Sequence, residues 1–174
     1  MLNTQDSMLA PLKKGGGWFT LPIKLLCFLL LITYIISSCT TIELYEKTIV
    51  IPKNKWNSSF KPEFNFTIKD TSTLYQVFFV IRHNEKYNYN NIWVKLYSQP
   101  PGDTLHNATY ELLLATNEKG WLTSGMDDIY EHRIKLTDEI RLKSGNYKFI
   151  IENIMREDPL LNVMNVGLRV EKKK

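Results

Sequence analysis

The sequence predicts an all-β protein: a single-domain β-sandwich, jelly-roll-like, with about eight strands. In segment after segment, apolar and polar residues alternate with period two, which is the pattern of half-buried strands. Clusters of Asn, Gly, Ser and Pro separate these segments, and no long segment repeats its apolar residues at helical spacing. An export segment precedes the sandwich.

The strands can be assigned in order along the chain. Alternation or apolar character predicts eight of them at residues 44–51, 64–68, 74–83, 92–98, 110–116, 130–136, 147–152 and 164–170. The segment 74–83 contains Val77-Phe78-Phe79-Val80-Ile81, apolar on both faces, which predicts a central strand. Residues 137–142 fit a turn of helix with Thr137 as its cap.

Residues 1–38 have the features of a signal peptide. An apolar run at residues 25–36 follows Lys24, with Lys13 and Lys14 further upstream. The run is too short to span a bilayer as a helix but has the length of a signal-peptide core. The positive region is long, so translation starts at either Met1 or Met8.

Cys39 is the predicted lipid attachment site. It follows Ile36-Ser37-Ser38, a branched apolar residue and two small residues, as in the lipobox of bacterial lipoproteins. In that class the cysteine receives a lipid after its thiolate attacks, and the peptide is cut before it. This divides the chain into a removed signal (1–38), a lipidated tether (39–43) and the sandwich (44–174). The alternatives are a free cysteine near a cleavage site, or a eukaryotic secreted protein with three Asn-x-Ser/Thr triplets at Asn57, Asn65 and Asn107.

Charge and cysteine count limit the remaining classes. The net charge is +4, and removing residues 1–38 lowers it because three lysines and only Asp6 leave. The balance is too weak for a nucleic-acid footprint, so we expect no nucleic-acid partner. Cys27 leaves with the signal, so no disulfide forms within the mature chain.

Few residues indicate chemistry. His83, His106 and His132 lack metal-ligand spacing, and no P-loop, G-x-S-x-G or H-E-x-x-H motif occurs. Two acidic clusters stand out, around Asp127-Asp128 and around Glu157-Asp158. Carboxylates so grouped bind Ca²⁺, form an acid–base pair or pair with nearby arginines. We expect no enzyme activity, no cofactor and no metal.

The charged segments are also the predicted partner surface. Residues 125–133 and 155–159 fall where strand alternation ends, so we expect them in loops or at strand ends, where binding groups usually lie. We expect the two segments to approach each other and form one preformed site for a protein, with ion binding as a lesser variant. The candidate residues are Asp127, Asp128, Glu131, His132, Arg133, Arg156, Glu157 and Asp158. The alternative is that Arg133 and Arg156 only brace these loops.

Aromatic residues offer a second surface. Trp93, Tyr97 and Trp121 are candidate contacts for a glycan, because aromatic rings stack on sugar rings. The alternative is that the tryptophans fill the core. A coplanar row of exposed rings would favour a glycan ligand, whereas buried tryptophans beside an exposed charged loop would favour a protein partner.

Seven blocks along the mature chain together form a recognisable pattern. In chain order they are Tyr45-Glu46-Lys47, Trp56 with Phe60-Lys61-Pro62, Ile81-Arg82-His83, Tyr89-Asn90-Asn91-Ile92-Trp93, Gly120-Trp121-Leu122, residues 125–133 and residues 154–170. These blocks resemble those of the gliding motility lipoprotein GldH family of Bacteroidetes. The resemblance implies a non-enzymatic envelope lipoprotein associated with gliding motility and the linked type IX secretion machinery. It carries over only the lipidated cysteine, onto Cys39.

The sequence therefore predicts a lipid-anchored assembly or interaction component of the cell envelope, held at the outer membrane and facing the periplasm. Its expected partners are the membrane, through the lipid, and envelope proteins. The alternative function is a lipid-anchored glycan-binding module.

Overall fold

The computed structural model describes residues 43–173, with side chains from Tyr45 onward. Within this range the chain forms a 3₁₀ turn at Pro52–Asn54 and thirteen strands, eight of which have six residues or more. The strands are β1 (Glu43–Val50), β2 (Lys55–Trp56), β3 (Glu63–Ile68), β4 (Leu74–Asn84), β5 (Asn91–Gln99), β6 (His106–Leu113), β7 (Ala115–Thr116), β8 (Gly120–Trp121), β9 (Gly125–Met126), β10 (Ile129–Lys135), β11 (Gly145–Asn153), β12 (Leu160–Leu161) and β13 (Val163–Lys173).

Two antiparallel sheets form the sandwich. The five-stranded sheet has the order β1-β13-β4-β10-β9, and the four-stranded sheet has the order β3-β11-β5-β6. Two short ribbons, β2 with β12 and β7 with β8, complete the pairing. This arrangement confirms the predicted all-β sandwich.

Alternation places one face of each strand in the core. In β3, Phe64, Phe66 and Ile68 are buried while the residues between them are exposed. The inner faces of the two sheets meet in one hydrophobic cluster, in which Tyr45 of β1 contacts Phe66 of β3 at 5.2 Å between ring centroids. Burial of this apolar surface is the main force that holds the sheets together.

The predicted central strand is confirmed, since β4 lies between β13 and β10. Its outer face carries Phe78 and Val80. Phe78 has Arg169 on one side and Lys135 on the other in the sheet register. The aliphatic stems of such residues cover apolar neighbours while their charged ends reach water, so a strand can be apolar on both faces without a third layer.

Gly167 allows β1 to pack against β13. A Cβ atom at this position would lie 2.8 Å from the carbonyl oxygen of Lys47 and 2.7 Å from the Thr48 methyl group. The first atom belongs to the backbone, which cannot move aside without separating the strands. A residue without a side chain is therefore required here.

The helix expected at residues 137–142 is wrong. Ile140 forms a β-bridge with Tyr75, and their backbone groups bond at 2.8 and 2.9 Å. The hydroxyl of Thr137 accepts a hydrogen bond from the amide of Val77 at 3.1 Å instead of capping a helix. The unpaired backbone of β4 captures this segment, and tertiary pairing overrides the local preference.

The predicted signal segment 1–38, Cys39 and tether residues 40–42 lie outside the described residues. Glu43, predicted to end the tether, begins β1. Between residues 43 and 173, no helix is long and apolar enough to cross a membrane.

Candidate functional site

The paired aspartates occupy a hairpin turn. Met126 of β9 pairs with Ile129 of β10, so Asp127 and Asp128 are the two residues between the strands, and both are exposed. Asp127 has φ 55, in the left-handed region that Asp tolerates better than most residues. The carbonyl oxygen of Asp128 accepts a hydrogen bond from the amide of Glu85 at 2.8 Å. The turn is thus tied to the β4–β5 loop and its carboxylates face solvent.

Two predictions overlap at Glu131 and Arg133: the strand at 130–136 is confirmed, and the loop or strand end expected for 125–133 is wrong for these two residues. Both lie within β10, on the outer face of the five-stranded sheet. Glu131 pairs with Arg82 at 2.5 Å and with Arg133 at 3.0 Å. Strand alternation continues through these charges because the outer face of a sandwich is solvated.

These pairs belong to a longer series, which we call the charge network. Arg133 reaches Glu46 at 3.5 Å, and Glu46 also pairs with Arg169. Arg169 bonds to Glu171 at 2.7 Å. The charge network crosses the four strands β1, β13, β4 and β10. Its least exposed member is Arg169, whose side chain is 11% exposed. Its members hold one another, so this part of the predicted partner surface also has the bracing role that was the alternative.

Residues 155–159 lie in the connection between β11 and β12. The Asp158 carboxylate accepts hydrogen bonds from the Ser58 amide at 2.9 Å and the Ser58 hydroxyl at 2.5 Å, which lower the pKa of Asp158. Glu157 accepts a hydrogen bond from the Tyr89 hydroxyl and raises the pKa of that phenol. Arg156 lines a cleft of about 420 Å³ with Tyr89, Trp93, Ile154 and Met155.

Both charged segments contact the β4–β5 loop, but at different residues. Asp128 bonds to Glu85 near the start of the loop, and Glu157 bonds to Tyr89 near its end. Among residues 43–173, no hydrogen bond or ion pair joins one segment directly to the other. The two segments therefore flank the same loop at one end of the sandwich and contact it at different residues.

His132 is not a surface residue, contrary to its predicted place on the partner surface. Its side chain points inward from β10 and is 3% exposed. Its Nε2 lies 3.0 Å from Nε2 of His83, on the neighbouring strand β4. His83 Nδ1 is 2.8 Å from the Asn84 carbonyl oxygen, which can only accept, so this nitrogen carries the proton. In the neutral pair, His132 Nε2–H must then donate to the lone pair of His83 Nε2.

Three aromatic side chains enclose this histidine pair, and together the five residues are called the histidine cluster. Ring centroids of Trp121, Tyr87 and Tyr130 lie 4.4, 5.0 and 5.7 Å from that of His83. Burial lowers the pKa of His83, and burial together with the neighbouring His83 lowers the pKa of His132 to about 4. Both rings are neutral at neutral pH, because a charge at this position would lose its hydration without gaining a carboxylate partner.

The candidate aromatic residues do not form one surface. Trp93 is 39% exposed and shares the outer face of β5 with Tyr97, whereas Trp121 packs in the histidine cluster. The Tyr97 hydroxyl donates to Glu152 at 2.6 Å, and the ammonium groups of Lys95 and Lys61 lie 5.5 and 5.9 Å from the ring centroid. The Tyr97 ring is therefore already engaged by its neighbours.

The carboxylates of the two acidic clusters are dispersed. Glu131 points to arginines, Asp158 to Ser58 and Glu157 to Tyr89. In the part of the chain that the structure describes, no three His, Cys, Asp or Glu residues converge as metal ligands. These residues therefore do not form the group of several oxygen ligands that a calcium site needs.

Sequence reasoning missed the histidine pair, although one signal was available. His132 alternates in register with Tyr130 and Ile134, which places it on the apolar face of its strand. His83 ends a segment that was predicted as central. What was missing is the pairing of β4 with β10, because a single sequence does not show which strands become neighbours.

Fold and site together define a class: an antiparallel β-sandwich with a buried, neutral histidine pair under an aromatic cover at one end, beside exposed charged turns. The polar groups at this end are therefore of two kinds, the buried histidine pair and the exposed charged side chains of the turns.

Comparison with known proteins gives the family. A family model described as GldH lipoprotein matches residues 43–170, which is all of the sandwich except the last three residues of β13. The chain is 26% identical to a gliding motility lipoprotein GldH homolog of Christiangramia forsetii over 154 residues, covering 83% of this chain and 94% of the relative. It is 24% identical to the gliding motility lipoprotein GldH of Flavobacterium johnsoniae over 152 residues, with the same coverage. The chain belongs to the GldH lipoprotein family, which confirms the resemblance seen in the sequence.

Similar solved structures are more distant. A carbohydrate-binding module specific for non-crystalline cellulose has a TM-score of 0.39 and 15% identity, covering 72% of this chain and 70% of that one. Dimeric latent PorU of Porphyromonas gingivalis has a TM-score of 0.30 and 10% identity, covering 79% of this chain and 14% of that one. Both likenesses are too weak to bear on function.

Proposed function

We propose that this protein is a lipid-anchored envelope component that works by binding other proteins of the gliding-motility or linked type IX secretion machinery, without catalysing a reaction. The anchor is the lipidated Cys39, at the outer membrane with the sandwich facing the periplasm. Membership of the GldH family supports this proposal, because the family match covers nearly all of the sandwich, from residue 43 to residue 170.

The observation that favours a protein partner is the placement of the tryptophans beside charged turns. Trp56 is fully buried and Trp121 packs against His83. The turn between β9 and β10 exposes Asp127 and Asp128, and Arg156 is exposed in the connection from β11 to β12. Charged groups presented on a rigid scaffold serve recognition and association rate.

Capture of partners from native envelopes tests the proposal. Tagged full-length protein carrying Asp128→Asn or Arg156→Gln should recover less of its partners after crosslinking than the unsubstituted protein does. Asp103→Asn is the matched control, because Asp103 is exposed in the β5–β6 loop at the other end of the sandwich. Asp128→Asn and Arg156→Gln should each melt at the temperature of the unsubstituted protein. Full partner recovery by both would contradict a role for these turns, and no machinery component in any capture would contradict the function itself.

Glycan binding is the second candidate, and Trp93 with Tyr97 on one open sheet face is the observation that favours it. Stacking would require Lys61 and Lys95 to leave the Tyr97 ring. Co-sedimentation with insoluble peptidoglycan or cellulose, compared with Trp93→Ala, is the test. Equal sedimentation of both forms would exclude Trp93 from any such site.

A further inference from the structure

We propose that the free edge of β10 accepts an extended segment of a partner protein as an added β-strand. The segment carries acidic side chains opposite Arg133 and Lys135, with an apolar side chain between them that enters the neighbouring cleft. This inference rests on the proposed function, since it assigns one surface through which the sandwich would bind a protein.

The backbone of β10 presents unpaired groups on this side. The amide of Leu136 donates to the carbonyl of Val77 on β4, so residues of the same parity in β10 point their backbone groups toward β4. Arg133 and Lys135 have the opposite parity and direct their N–H and C=O groups away from β4. Strand β9 pairs only with Ile129 and Tyr130 and does not reach them.

The accessible length of this edge is short and well defined. The Thr123 hydroxyl already donates to the Glu131 carbonyl at 2.7 Å, so the chain leading into β9 occupies the edge up to that residue. An incoming strand can therefore pair along residues 132–135. Strand β9 shows the direction it would take, since β9 runs antiparallel to β10 on the same side.

A cleft beside this edge provides a place for one apolar side chain. It has a volume of about 480 Å³ and lies between β10, the last residue of β6 and the residues that follow β8. Leu113 and Leu122 both line it and are 50% and 45% exposed, so two apolar side chains adjoin the edge. Ile134, on the inward face of β10, lines it as well. The apolar side chain of the incoming segment that lies opposite Ile134 would point inward and cover Leu113, Leu122 and Ile134.

Charge defines the outward side chains of the segment. Arg133 and Lys135 point outward at alternate positions, with side chains 51% and 49% exposed. Arg133 already pairs with Glu131 and Lys135 with Asp138, both at 3.0 Å, so acidic side chains of the segment would share these cations with carboxylates of this chain. Opposite charges on directly paired strands stabilise the pairing, and like charges destabilise it. A second copy of this chain fits poorly. If two β10 strands pair antiparallel along residues 132–135 with their outward side chains on the same face, Arg133 or Lys135 of one copy lies opposite Arg133 or Lys135 of the other. Like charges then face each other in every such register. An acidic–apolar–acidic segment of another protein fits both the edge and the cleft.

Hydrogen exchange with two synthetic peptides tests the edge separately from partner capture. The first peptide is Thr-Glu-Leu-Glu-Thr with blocked ends, and the second has Lys in place of both Glu. In the free protein, the amides of Arg133 and Lys135 should exchange faster than those of His132 and Ile134, which face β4. The acidic peptide should slow exchange at Arg133 and Lys135 and bind about fivefold more tightly than the basic one, as two exposed ion pairs allow.

Charge reversal provides the control. In Arg133→Glu with Lys135→Glu the preference should invert, so that the basic peptide protects these amides; Lys135→Glu alone should lessen the acidic preference if the double variant does not fold. Equal protection by both peptides, protection unchanged by reversal, no protection at saturating peptide, or concentration-dependent dimers in place of peptide binding would each overturn the proposal. Partner capture that persists after such a result would leave the proposed function intact, because the turns at Asp128 and Arg156 are tested independently.

Discussion

The histidine cluster predicts a stability that falls in mild acid, before the carboxylates titrate. The pKa of His132 is about 4 in the folded protein against an ordinary value of about 6.5. As the pH falls through 6.5, the unfolded chain takes up a proton at this residue while the folded chain does not. The unfolded state is therefore favoured progressively, and the loss continues until the pH reaches the folded pKa.

The size of the effect follows from this shift. Between about pH 7.5 and about pH 5, the displaced titration of His132 should lower the free energy of unfolding by about 2 kcal/mol. Burial also lowers the pKa of His83, which adds to the loss in the same direction. Carboxylates with lowered pKa values, such as Asp158 and Glu152, remain ionised at pH 5 in both states, so their loss of stability falls at lower pH.

Urea unfolding of residues 40–174 across this pH range is the assay. His132→Gln should remove most of the pH dependence, while His106→Gln should retain it, because His106 has a side chain that is 57% exposed. A flat profile in the unsubstituted protein would refute the reasoning. So would a His132→Gln profile as steep as that of the unsubstituted protein.

Other predictions concern packing and charge. Trp56 is fully buried, so Trp56→Ala should lower the free energy of unfolding by about 3–5 kcal/mol in urea titrations, and a loss below about 1 kcal/mol would contradict its core role. Gly167→Ala should destabilise the protein more than Gly102→Ala does. The methyl group at position 102 would meet no neighbouring atom, so that variant should lose only about 1–2 kcal/mol for its left-handed backbone conformation. The reverse order of stability in thermal melts would contradict the close approach of β1 to Gly167. Glu46→Gln should lower stability by about 1–2 kcal/mol at low salt and less at high salt, and a loss independent of salt would show that the charge network is not electrostatic.

Much of the fold could be predicted from alternation alone. β3 and β11 alternate cleanly in sequence because one face of each is buried and the other is partly solvated. In β13 the alternation of Val166, Leu168 and Val170 is also seen, but a register shift near its start buries Val163 in place of Met164. The burial of β4 as a central strand followed from its apolar run. The start of β6 was placed four residues late, since His106 to Thr109 are exposed and carry no apolar signal.

The site was less predictable, because it depends on which strands become neighbours. Glu131 and Arg133 belong to a strand that alternation predicted, but the sequence did not show which charged residues of other strands lie beside them on the outer face. Their partners, Glu46 and Arg82, are distant in sequence and meet them only through the order β1-β13-β4-β10. No local pattern reports such an order, which arises from the packing of the whole domain.

The lipid anchor at Cys39 underlies the proposed function, and one measurement tests it most directly. Cells expressing the unsubstituted protein or Cys39→Ser are fed labelled palmitate and then separated into membrane and soluble fractions. The unsubstituted protein should carry label and sediment with membranes, since two or more acyl chains anchor a protein stably. Cys39→Ser should carry no label and should appear uncleaved or in the soluble fraction. Label in Cys39→Ser equal to that of the unsubstituted protein would contradict the lipid-anchored account.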